Sequence, residues 1–260
     1  SMEKIVVGFL GCGNIGCGVY KLLETYGAQM EKNEGVAFEV RKILVRSLNK
    51  NRALAIPAAL LTDHPEDVLD DPEIHIVMEF MGGEQPAASY IMRALANGKP
   101  VVTANKMAIA MSGGSIEDQA KKSGAAFMYE ASVAGTIPVI RVIQDSLVAN
   151  DIRKISGIIN GTTNYILSKM ANEGQSFEDA LKKAQELGFA EADPTSDVEG
   201  FDAMYKIAIL SKLAFGIMPE PDQISRTGIT GVSVADIEKA KANGSTVKFI
   251  AQAHREGDSV

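Results

Sequence analysis

Asp202 and Lys206 stand four residues apart in Phe201-Asp202-Ala203-Met204-Tyr205-Lys206-Ile207-Ala208, so a helix there carries both on one face. On a solvated surface such a pair contributes little. Here the flanking residues are apolar nearly all round, and Lys212 is the next charge along the chain. A desolvated lysine can be tuned far enough for acid–base work. Just upstream, Glu191, Asp193, Asp197, Glu199 and Asp202 place five carboxylates within twelve residues. Their spacing does not match a calcium-binding EF-hand loop; a cationic substrate, such as an amino acid with its ammonium group, fits better. A second lysine, Lys106, follows Val101-Val102-Thr103-Ala104-Asn105. The ends of strands in an open parallel sheet are where ligands bind, and a lone cation among apolar residues suits such a place. Its stem can equally pack while its head reaches water.

Gly11-Cys12-Gly13-Asn14-Ile15-Gly16 matches G-x-G-x-x-G directly after the apolar run Ile5–Leu10 and ahead of a helical pattern. That context makes the motif informative. The first glycine permits the tight turn, the second lets backbone approach a pyrophosphate, and the third allows close helix–strand packing. The helix start adds unpaired N–H groups and partial positive charge. The next strand then selects the dinucleotide. NAD sites usually have an acid at its end, whereas this one ends in Arg46, with Lys50 and Arg52 close behind. A cation there suits a 2′-phosphate, so NADP is expected, with NAD possible.

Strand–helix alternation must position these groups. Strands are expected at Ile5–Leu10, Phe38–Val45, Ile74–Phe80, Val101–Thr103 and Ala126–Tyr129. Helices are expected at Ile15–Met30, Gln85–Asn97, Ser115–Ser123 and Val139–Val148. This rhythm predicts an α/β fold with a Rossmann-type doubly wound parallel sheet. The second half differs, with strands at Ile152–Ile159 and Val247–Ala253 around helices at Thr163–Ala171, Ser176–Leu187, Gly200–Phe215 and Val234–Ala242. It reads as an α+β substrate and dimerisation domain, giving residues 1–135 to dinucleotide binding and 136–260 to substrate. The chain has 260 residues, 46% hydrophobic and 23% charged, which excludes disorder and fibrous repeats. A net charge of −7 argues against nucleic acid and anionic membranes as partners. No apolar run is long enough for a membrane span. Two cysteines, Cys12 and Cys17, are too few for a disulfide framework, so a reducing cytoplasm is expected.

The motifs, in order, resemble the homoserine dehydrogenases. Gly98-Lys99-Pro100-Val101-Val102-Thr103-Ala104-Asn105-Lys106 resembles the family's strand with its active-site lysine. Tyr129-Glu130-Ala131-Ser132-Val133-Ala134-Gly135-Thr136-Ile137-Pro138 resembles its monovalent-cation segment. Gly157-Ile158-Ile159-Asn160-Gly161-Thr162-Thr163-Asn164-Tyr165 resembles the segment beside substrate and nicotinamide, and Glu191-Ala192-Asp193-Pro194 through Asp202 and Lys206 the homoserine-binding stretch.

The resemblance implies NAD(P)-dependent interconversion of L-homoserine and L-aspartate 4-semialdehyde, on the route to threonine, methionine and isoleucine. It makes Lys206 the proton donor and acceptor and Lys106 its catalytic partner near the nicotinamide. Glu191 and Asp202 would bind substrate, with Asp197 assisting and Thr162 lining the site. The cofactor would meet Gly11, Cys12, Gly13, Asn14, Ile15, Gly16, Arg46, Thr103, Lys106 and Gly188. Sodium would be held by Glu130 and the carbonyls of Val133, Gly135 and Ile137. A homodimer in the cytoplasm is implied. The chain departs from the family at Thr136 and Phe189. Because the family's catalytic region runs on past the equivalent of Val260, a C-terminal truncation is expected. Two rivals stand beside this reading. Another Rossmann oxidoreductase, acting on a small amino acid or sugar, is disfavoured by Ala104-Asn105-Lys106 where one such superfamily has Glu-Lys-Pro. A catalytically silent dinucleotide sensor is disfavoured by the presence of both lysines.

Overall fold

Glu3–Leu10 (β1) alternates no polar residues once past Lys4, as a strand covered on both faces requires. It lies at the centre of a six-stranded sheet in a computed structural model that describes residues 3–52, 54–129, 139–141, 143 and 151–260. The other strands are Val36–Leu44 (β2), Leu61–Thr62 (β3), Ile76–Glu79 (β4), Val101–Thr103 (β5) and Phe127–Met128 (β6). Their order is β3-β2-β1-β4-β5-β6 and every pairing is parallel. This is the doubly wound order, with its switch point between β1 and β4.

Helices Asn14–Glu34 (α1), Glu66–Leu69 (α2), Ala87–Ala96 (α3) and Lys106–Ser123 (α4) join the strands. They contribute to two separate apolar clusters. Tyr20 of α1 packs with Val7, Phe9 and Ile43 in one. Ile91 and Leu95 of α3 and Ile116 of α4 pack with Leu10, Val77 and Val101 in the other. Alternate residues of β1 therefore serve opposite faces of the sheet.

Two expectations need revision in this half. α4 begins at Lys106, nine residues before the expected Ser115. Gly113-Gly114 lowers helix propensity in the middle of the segment, yet Gly113 is buried and Ile116 and Ala120 complete the sheet-facing core, so packing prevails. β3 and α2 were not foreseen, because two- and four-residue elements carry no readable period.

By contact density the chain divides into two compact units, Ser1–Thr136 and Ile137–Val260. In the second, residues Val139–Arg141 (α5) are the described part of the helix expected at Val139–Val148. Then come Lys154–Gly157 (β7), Gly161–Glu173 (α6), Phe177–Glu186 (α7), Thr195–Val198 (α8), Phe201–Phe215 (α9), Val234–Ala242 (α10) and Ala251–His254 (β8). β7 and β8 form an antiparallel pair. Both are shorter than expected. The chain leaves β7 at Gly157 to start α6, and Val247 and Phe249 pack on the helical core instead of pairing. That core joins Ile166, Leu167 and Met170 of α6 with Ala180 and Ala184 of α7, Val198 of α8 and Ile237 of α10.

Candidate active site

In the first unit the loop from β1 to α1 shows why its glycines are needed. Gly11 has φ +92°, and a Cβ there would lie 3.1 Å from the backbone of Phe80 and Met81. A Cβ on Gly16 would lie 3.0 Å from the Gly11 carbonyl oxygen. Gly13 is different: nothing stands within 4 Å of the place its Cβ would take. The first and third glycines answer to this protein's own packing, while the second leaves space at the start of α1 for a ligand. A cleft of about 960 Å³ opens there, lined by Gly11–Asn14, the chain leaving β2 at Leu44–Ser47, and Lys21, Lys50, Arg52 and Asp63 among others. Its lining holds four cations, Lys21, Arg46, Lys50 and Arg52, against one carboxylate, Asp63. That balance suits a polyanion. Arg46 is exposed on the wall, while the Arg52 guanidinium is tied to the carbonyls of Ser47 (2.5 Å) and Lys50 (3.1 Å). Cys12 and Cys17 are free thiols with sulfurs 2.9 Å apart. Burial, reinforced by the Cys17 thiol, pushes the Cys12 pKa up to about 12, which favours the thiol over the thiolate.

At the other side of the sheet's switch point, Lys106 is the first residue of α4 and half-buried. Asn105 caps that helix, accepting from the Ala108 N–H at 3.0 Å, and its amide donates to the Gly83 carbonyl at 2.7 Å. The Thr103 hydroxyl donates to Glu79 Oε2 at 2.5 Å and accepts from the Asn105 N–H at 2.9 Å. Glu79 is fully buried and also takes the Met81 N–H at 2.6 Å. Thr103, expected at the cofactor, therefore has its hydroxyl within this network. Glu79 escaped the sequence reading; the available signal was an acid closing the apolar run Ile76-Val77-Met78.

In the second unit, Lys206 and Asp202 form an ion pair at 2.7 Å on α9, with side chains only 17% and 7% exposed. The i, i+4 reading is thus realised on a helix whose neighbouring residues Ala203, Met204, Tyr205, Ile207 and Ala208 are buried. Lys206 Nζ also donates to the Ile159 carbonyl at 2.7 Å. A pocket of about 490 Å³ gathers Asp197, Asp202, Lys206 and Thr162 with Asn160, Gly161, Tyr165 and Phe189.

Among the described residues, Glu191, Asp193 and Gly188 do not line it. Glu191 is exposed, and its backbone carbonyl accepts from Gln185 at 3.0 Å. Asp193 accepts the Thr195 hydroxyl and N–H at the start of α8, which hold its carboxyl below the usual range. Gly188, at φ +77°, follows the end of α7 and lies in neither cleft. The Thr162 hydroxyl donates to the Phe189 carbonyl at 2.7 Å, which ties the pocket's rim together. Glu130, Val133, Gly135 and Ile137 lie outside the described residues.

Comparison with known proteins agrees with both halves of this picture. Residues 11–130 match the homoserine dehydrogenase NAD-binding domain family, and residues 138–259 the homoserine dehydrogenase family. The homoserine dehydrogenase of Bacillus subtilis is 42% identical over 259 residues, covering all of this chain and 60% of that protein. The chain thus spans about 60% of the length of that curated relative. Among solved structures, a homoserine dehydrogenase from Thiobacillus denitrificans superposes with a TM-score of 0.91 at 44% identity, over 98% of this chain and 59% of that one. A hyperthermophilic archaeal homoserine dehydrogenase in complex with NADPH gives 0.79 at 25% identity, over 97% and 79%. The glycine-loop unit is a nicotinamide-dinucleotide-binding domain, and the chain belongs to the homoserine dehydrogenase family.

Proposed function

We propose that the protein is an NADP-preferring homoserine dehydrogenase, interconverting L-homoserine and L-aspartate 4-semialdehyde in threonine, methionine and isoleucine biosynthesis. The observation that carries this reading is the shielded Asp202–Lys206 pair, 2.7 Å apart in a pocket that also holds Asp197. The cleft beside Gly13 fits a dinucleotide pyrophosphate, because the start of α1 is open there and the lining is cationic. When bound, NADP(H) supplies or accepts the hydride.

The chain's own residues handle the proton and the charges. Lys206 Nζ gives a proton to the carbonyl oxygen of the semialdehyde as negative charge develops there, and takes it back from the hydroxyl of homoserine. Asp202 orients that ammonium, and the Ile159 carbonyl fixes a second of its hydrogens. Asp197 and Asp202 supply negative charge for the substrate ammonium, and Thr162 shapes the rim. Glu191 and Gly188 are assigned to substrate and cofactor on family resemblance. So are Lys106 and Thr103, at the end of β5, and sodium at Glu130, Val133, Gly135 and Ile137. Arg46 stands where a cofactor 2′-phosphate would be met. Among the described residues no helix is long and apolar enough to cross a membrane. We assign the protein to the cytoplasm as a homodimer, on family resemblance. The experiment is NADPH oxidation by the full-length protein with L-aspartate 4-semialdehyde and a panel of other small aldehydes. Turnover confined to the semialdehyde is expected; preference for a different aldehyde would replace this reading.

A further inference from the structure

Asn160 sits between β7 and α6 and is buried, with 4% of its surface exposed. Its side chain makes every hydrogen bond an amide offers on its nitrogen, and both go to carboxylates. Nδ2 donates to Asp197 Oδ1 at 2.7 Å and to Asp202 Oδ2 at 2.9 Å. Oδ1 accepts from the Thr163 N–H at 2.9 Å and the Thr163 hydroxyl at 2.8 Å, which caps α6. The carbonyl just before it, that of Ile159, takes the Lys206 ammonium. One residue thus connects the start of α6, the end of α8 and the reactive face of α9.

Two carboxylates on one side of a shielded pocket repel each other, and a neutral amide with two N–H groups is the smallest side chain that can hold both without adding charge. We propose that Asn160 is a positioning residue for proton transfer and substrate binding, setting Asp202 against Lys206 and holding Asp197 beside it. This rests on the homoserine dehydrogenase reading above. A cap alone would not need an amide, since Ser and Asp cap helices about as well as Asn.

That equivalence supplies the test. Asn160→Ser retains a capping oxygen and removes both donors to the carboxylates. Asn160→Asp also retains the cap but places a third negative charge beside Asp197 and Asp202. In the full-length enzyme, Asn160→Ser is expected to raise the KM for L-homoserine and lower kcat, each by about tenfold, the worth of one charge-assisted hydrogen bond. Asn160→Asp should lose more than Asn160→Ser. NADPH affinity by fluorescence titration should change little in either; the thermal midpoint should fall less in Asn160→Ser than in Asn160→Ala, and further in Asn160→Asp because of the added buried charge. Calorimetric binding of L-homoserine should show the same weakening without turnover. Unchanged kinetic constants and homoserine affinity in Asn160→Ser would overturn the proposal. So would a fall in its thermal midpoint as large as that of Asn160→Ala, which removes the cap as well. Lys206→Ala separates the two readings: if it turns over normally the assignment of Lys206 fails, whereas a dead Lys206→Ala beside a normal Asn160→Ser condemns only the role of Asn160.

Discussion

Arg46 is an exposed cation on the wall of the dinucleotide cleft, in a lining with a single carboxylate. A charge-assisted contact to a 2′-phosphate contributes roughly 1.5–3 kcal/mol. Wild-type protein is therefore expected to bind NADPH at least about tenfold tighter than NADH, with Arg46→Ala erasing most of that difference; equal affinities before mutation would remove the basis for it. The lysines are separable in the same way. Lys206→Ala should cut kcat by roughly 10²–10⁴, the usual contribution of general acid–base catalysis, and leave NADPH binding nearly intact. Lys106→Ala should slow turnover with a larger effect on nicotinamide or substrate affinity. Single-turnover NADPH oxidation and fluorescence titration of both variants would reveal a reversal of roles. At this scale the sequence was readable where partners are local. Asp202 and Lys206 are one helical turn apart, so their meeting followed from helical geometry. Asn160 finds its carboxylates 37 and 42 residues away, and no local pattern could announce that. The acidic run divides on folding: Asp197 and Asp202 line the pocket, while Glu191 and Asp193, which precede α8, do not.

At the scale of elements, the glycine loop separates what folding requires from what a ligand requires. Gly11 has a positive φ and backbone 3.1 Å from any added Cβ, so Gly11→Ala should destabilise the protein by about 1–3 kcal/mol. Gly13 has φ −80° and open space before it, so Gly13→Ala should leave the thermal midpoint almost unmoved. Its added methyl enters the path of the pyrophosphate, and NADPH affinity should fall about tenfold or more. Thermal melts and NADPH titrations of the two variants give opposite patterns if this division is right. Strands β1, β2, β4 and β5 were legible from apolar runs, and α10 spans the same residues as the helix expected at Val234–Ala242. The early start of α4 was hidden because Gly113-Gly114 speaks against helix locally, while the burial that outweighs it is a property of the packed sheet. Helices α4 and α6 share one device: each opens with a buried asparagine, Asn105 or Asn160, whose oxygen caps the helix and whose nitrogen reaches a neighbouring segment.

For the molecule as a whole, the doubly wound sheet and the helical second unit are foreshadowed by a change of rhythm along the chain, because strand and helix periods are local and accumulate over many residues. What the chain could not announce is which side chains meet after folding. The burial of Asn160 has a chemical consequence of that kind. Asn160-Gly161 is an Asn-Gly pair, as are Asn97-Gly98 and Asn243-Gly244. Such pairs deamidate when the glycine nitrogen can swing onto the side-chain carbonyl, and glycine offers no Cβ to hinder it. Asn160 is held at both ends of its amide and its glycine is locked into the first turn of α6, whereas Asn243 is exposed at the end of α10. Peptide mapping by mass spectrometry after incubation at mildly alkaline pH should find Asn243 converted and Asn160 intact in the native protein, with both converted in urea. Native conversion of Asn160 as fast as Asn243 would mean that the joint opens freely. Conversion of the amide to an acid would set a third carboxylate against Asp197 and Asp202, so the working lifetime of the proposed proton-transfer site would depend on how seldom this one turn of backbone comes undone.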